Sequence, residues 1–79
     1  MATIKDTIKQ SIISKAECNE TLASNQLVDI YLEHYPKAKR HSAIESVSSI
    51  ALELDRAGRV FAEFDNSGRI SKIKKRVKN

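Results

Sequence analysis

The sequence predicts an α+β domain in which a three-helix core precedes a two-stranded antiparallel hairpin. Two helix-start signals, at Thr3 and Ser42, are each followed by apolar residues at spacings of three and four. After Gly58 the period shortens to that of strands, with Val60–Phe64 and Ile70–Ile73 on either side of Asp65-Asn66-Ser67-Gly68-Arg69.

The first helix starts at Thr3-Ile4-Lys5-Asp6, where Thr3 accepts from the Asp6 amide and the Asp6 carboxylate reaches back to the positive helix end. Ile4, Ile8 and Ile12 repeat every four residues, Ile13 and Ala16 widen the stripe, and the helix should end between Glu17 and Asn19. Thr21-Leu22-Ala23 is the length of a short third strand that pairs with something later. Ser24 is the expected N-cap of the second helix, which buries Leu27, Val28, Ile30, Tyr31 and Tyr35. Pro36 disfavours helical geometry at Tyr35 and stops it.

A basic connector, Lys37 to His41, leads to Ser42-Ala43-Ile44-Glu45. This reads as a capping box, with Ser42 outside the helix, Glu45 as its reciprocal partner, and a third helix over 43–57. Ile44, Val47, Ile50, Ala51 and Leu54 form its apolar face; Glu45, Ser46, Ser48, Ser49 and Glu53 form its wet face. Gly58 supplies the left-handed residue past its end. In the hairpin Gly68 takes the positive φ of a three-residue loop, so Asp65 pairs with Arg69, Phe64 with Ile70 and Phe61 with Ile73. Phe61 and Phe64 then point to opposite faces, one toward the core.

The chain has 79 residues, 41% apolar and 30% charged, which suits one small globular domain over 1–79, its basic end at 74–79 open to fraying. A core this size supplies roughly 3–5 kcal/mol, so a homodimer would add useful burial. There is no apolar run of membrane-spanning length and no signal-peptide core, so a cytoplasmic protein with no membrane partner is expected. The single cysteine, Cys18, fits a reducing compartment and a buried or half-buried thiol. No catalytic, metal or cofactor chemistry is expected: Cys18, His34 and His41 lack partners at useful spacing, and both glycines are explained by a helix end and a turn. His34 reads as a helix-surface or interface imidazole.

The net charge is +4, unevenly distributed. Six Lys or Arg lie from Arg69 onward with no acid among them, and three more lie between Lys37 and Arg40. Such segregation suits a polyanion.

The order helix, short strand, helix, basic turn, helix, hairpin resembles the winged helix-turn-helix family, from about Thr3 to Val77. In that resemblance "KAKRHSAIESVSSIALELDRAGRV" corresponds to the turn, the recognition helix and the entry to the wing, and "FDNSGRISKIKKR" to the wing and its return strand. It implies a small DNA-binding protein, a transcriptional regulator, with helix 43–57 toward the major groove of double-stranded DNA and the wing on the phosphate backbone. Lys37, Lys39, Arg40 and His41 would meet phosphates at the helix start. Ser42, Ser46 and Ser49 would face the groove, and Arg69, Lys72, Lys74, Lys75 and Arg76 would line the wing. The recognition-helix face has no Arg, Lys, Asn or Gln for bidentate base contacts. That scarcity supports the alternative of a protein-interaction module docking on an acidic protein partner. RNA is a weaker third reading, since no exposed aromatic platform is evident.

Overall fold

A computed structural model describes residues 3–76. Its elements run α1 (Ile4–Asn19), β1 (Thr21–Ala23), α2 (Ser24–His34), α3 (Arg40–Arg56), β2 (Val60–Phe64) and β3 (Ile70–Lys75). The three strands form one antiparallel sheet in the order β1-β3-β2, so the last strand lies in the middle.

At the start of α1, Thr3 Oγ1 accepts from the Asp6 amide at 3.1 Å and the Asp6 carboxylate accepts from the Thr3 amide at 3.3 Å, which closes the expected capping box. Ile8, Ile12, Ile13 and Ala16 are buried. Ile4 departs from the expected stripe: it is 50% exposed, in a first turn where every residue from Thr3 to Thr7 is exposed. The helix ends on Glu20, whose φ of 65° is unusual for a residue with a Cβ. That bend swings the chain directly into β1, and the Glu20 carbonyl accepts from the Lys75 amide at 2.7 Å.

Ser24 is the first residue of α2 and not its cap. Ala23 is the N-cap, and its amide donates to the Gln26 side chain at 2.8 Å. Leu27, Val28 and Ile30 are buried, Tyr31 is half-buried against the core, and Tyr35 is exposed with its ring 4.8 Å from that of Tyr31.

Helix α3 begins at Arg40, three residues before the expected start, with Lys39 as an N-cap that makes no side-chain bond. The Ser42–Glu45 capping box is therefore not used. A side-chain cap is worth only about 1 kcal/mol, and an extra turn offers backbone carbonyls to the same amides. Ala43, Val47, Ile50, Ala51 and Leu54 face the core. The C-terminus closes as a Schellman motif: Gly58, at φ 74°, donates to Asp55 O, and Arg59 donates to Leu54 O.

Ser48 was expected on the wet face and is instead 8% exposed. Its hydroxyl donates to Ile44 O at 2.6 Å and accepts from the Ile70 amide at 2.7 Å. One side chain thus joins α3 to the first residue of β3.

The hairpin keeps the expected Phe64–Ile70 pair and then shifts register, so that Glu63 faces Lys72, Ala62 faces Ile73 and Phe61 faces Lys74. Ser71 is the extra residue of a bulge, and the expected Phe61–Ile73 pair does not form. The bulge turns both Ile70 and Ile73 inward, although they are three residues apart; both are buried. Phe64 packs on the core, and Phe61 is 44% exposed. On the other side β3 pairs with β1 through Thr21–Lys74, Leu22–Ile73 and Ala23–Lys72. Lys74 and Lys75, where fraying was open, are strand residues; 77–79 lie outside the described residues.

The inner face of the sheet, with Leu22, Ile73, Val60 and Ile70, closes the core beneath the three helices. No helix among the described residues is long and apolar enough to cross a membrane.

Candidate nucleic-acid interface

Turning its apolar face to the core leaves α3 with an outward strip of Ser42, Glu45, Ser49, Leu52, Glu53 and Arg56, all exposed. The hairpin tip lies along one edge of this strip. Asp65 organises the tip: its carboxylate accepts from the amides of Ser67 and Arg69 at 2.9 and 3.1 Å, and Gly68, at φ 86°, donates back to Asp65 O. The hydrogen bond from the Ser67 hydroxyl, helped by those amides and by Arg69, holds the Asp65 carboxyl below its ordinary range.

This geometry delivers Arg69 to α3, with Nη2 4.0 Å from Glu45 Oε1. Glu45 is thus a weak ion-pair partner for the tip. Lys37 and Lys39 are exposed on the connector, His41 is exposed in the first turn of α3, and Arg40 turns back to Asp29 of α2 at 3.4 Å. Arg40 and Glu45 are about 8 Å apart along the helix axis, so the connector cations and Arg69 share one end of α3.

The other edge of the strip borders a groove of about 270 Å³ lined by Lys5, Ile8, Tyr31, Tyr35, Ser46 and Ile50, with Ser49 at its side. Ser46 is half-buried there, while Ser49 is exposed. Glu53 is neutralised from α1 by Lys5 at 2.8 Å and Lys9 at 3.6 Å, and the Lys5 hydrogen bond chiefly lowers its pKa.

The remaining expected contacts lie elsewhere. Cross-strand partners share a face, so Lys72 and Lys74 leave β3 with Ala23, Thr21, Glu63 and Phe61 on the outer side of the sheet, away from α3. Both lysines reach Glu63, at 3.7 and 3.1 Å, and the Lys74 hydrogen bond is the main cause of a lowered Glu63 pKa. The Arg76 guanidinium lies 4.5 Å from the centre of the Phe61 ring. Lys75 alternates to the side of its partner Val60 and lines a hollow with Ile13, Ala16 and Glu17. The basic residues expected along one wing therefore divide into a tip beside α3, an outer sheet face, and Lys75.

Sequence reasoning assigned no functional role to Ser48, Glu63 or Phe61. The inward spacing of Ile70 and Ile73 was the available sign of a bulge, and hence of an outward Phe61. Cys18 is exposed, contrary to expectation, near the open end of α1. His34 sits half-buried with Nδ1 3.1 Å from Ile30 O. No group of three or more His, Cys, Asp or Glu side chains suited to a metal occurs among the described residues. No family model, curated protein or solved structure matches the chain.

Proposed function

We propose that this protein binds double-stranded DNA as a winged-helix regulator, with the outward strip of α3 toward the major groove and the hairpin tip on the adjacent backbone. The sheet order β1-β3-β2, with the hairpin following α3, is compatible with that layout. The observation that carries the reading is the approach of Arg69 to Glu45, which brings one cation of the second basic segment, the one at the hairpin tip, to the end of α3 that follows Lys37 and Lys39. Cations on both sides of a helix start suit phosphates flanking a groove. With Ser42 and Ser49 as the outward polar groups, base reading is modest, and shape or a second copy of the chain supplies the rest of the specificity.

The test is duplex binding across a salt series, with Arg69→Ala beside the unaltered chain. Affinity should fall by roughly a hundredfold between about 50 and 200 mM salt if some four phosphates are contacted, and the variant should flatten the slope by about one contact. No binding at low salt would refute the reading. A second reading, a module docking on an acidic protein, is favoured by one observation: from Ser42 to Asp55 α3 carries no Arg, Lys, Asn or Gln.

A further inference from the structure

The outer face of the sheet has a composition unlike the rest of the surface. Phe61 is 44% exposed on β2, directly opposite Lys74, and Arg76 lies over its ring at 4.5 Å. Lys72, Lys74 and Arg76 occupy every second position, about 7 Å apart, a spacing comparable to that of consecutive phosphates in an extended strand. On the β1 side the face is completed by Thr21 and Ala23, whose small side chains leave it flat. Among the described residues its one acid, Glu63, is already engaged by both lysines.

We propose that this face binds single-stranded nucleic acid, with a base stacked on Phe61 and the backbone tracked by Lys72, Lys74 and Arg76. An exposed ring amid cations accommodates any base through its π-face, whereas bases inside a duplex are already stacked and unavailable to it. Arg76 either covers the far side of the stacked base or moves to a phosphate, and its stacking on Phe61 holds the ring ready for a planar partner. The charge complementarity favours a polyanion, and the aromatic at its centre favours one that carries bases. None of these side chains belongs to the α3 strip or the hairpin tip, so the inference stands independently of the duplex reading.

The chain contains no tryptophan, so Phe61→Trp introduces one at the stacking position, excited selectively at wavelengths where Tyr31 and Tyr35 do not absorb. Oligo-dT and oligo-U of about ten nucleotides, within the usual site size, are titrated against it, with polyphosphate and polyglutamate as base-free polyanions. The expected result is quenching by both oligonucleotides and not by either base-free polymer. In anisotropy measurements Phe61→Ala should weaken oligonucleotide binding by about five- to a hundredfold. Its affinity for duplex should be unchanged, and its Tm should fall by only a few degrees. Glu63→Gln, which releases two lysines, should tighten binding by about two- to fivefold. The proposal is overturned if Phe61→Ala binds oligonucleotide as well as the unaltered chain. It is equally overturned, in favour of an acidic protein partner, if polyglutamate binds as tightly as oligo-dT.

Discussion

Replacing Ser48 with alanine removes the hydroxyl that the Ile70 amide donates to, beside the bulge in the β2–β3 pairing. Ile70 is 2% exposed, so no solvent stands ready to replace the lost acceptor. A buried donor left unpaired costs about 1–3 kcal/mol. Alanine is the better helix former by about 0.5 kcal/mol, which offsets part of the loss. The net destabilisation is about 1.5 kcal/mol, a large share of the roughly 3–5 kcal/mol expected for a core of this size. For a domain of this length that corresponds to a fall in Tm of about 6–12 °C, measurable by thermal circular dichroism. Ser14→Ala, on the exposed side of α1, is the control, because it keeps the propensity gain and loses no buried bond. Amide exchange at Ile70 should quicken in Ser48→Ala and stay slow in Ser14→Ala. If the two variants melt within about 1 °C of each other, the hydroxyl bridge contributes nothing and the reasoning fails.

Two further outcomes follow from local geometry. Glu20 holds φ at 65°, and Glu20→Gly removes the Cβ clash, so denaturant midpoints should rise by an amount corresponding to up to about 1 kcal/mol; a fall would show that the bend is unstrained. Glu53, Glu63 and Asp65 all have lowered pKa values, so each carboxyl binds fewer protons folded than unfolded in acid. Their contribution is present above their ordinary values of 4.5, 4.5 and 3.8 and is lost as pH falls through the depressed ones. Urea midpoints should therefore decline below about pH 4.5, less steeply in Glu63→Gln and in high salt, since these pairs are solvent-screened. Midpoints that hold level down to pH 3 would contradict the assignment.

The helices were legible because their signals are local and redundant: Thr3 with Asp6, the Ile8–Ile12 repeat, Pro36, and Gly58 at a helix end. The start of α3 was misread because Ser42-x-x-Glu45 has the letters of a capping box, whereas a cap of about 1 kcal/mol competes with an added turn. β1 was legible as a fragment, but its partner was not, since pairing across some fifty residues leaves no local trace. The hairpin was legible to its first pair, and one inserted residue, Ser71, then moved Phe61 from Ile73 to Lys74. That slip also decided the candidate site. With a regular register Phe61 shares its face with an apolar partner; with the bulge it stands among lysines. Charge segregation in the sequence identified the cations without revealing which side of a strand each would leave from, because alternation is set by register and register by tertiary packing.

The central position of β3 bears on how the chain matures during translation. Neither β1 nor β2 has any strand to join until residues 70–75 have been made and have cleared the ribosome. Until then the apolar undersides of all three helices lack their lid, so this part of the nascent chain must wait, half-assembled, for β3 before it can close cooperatively.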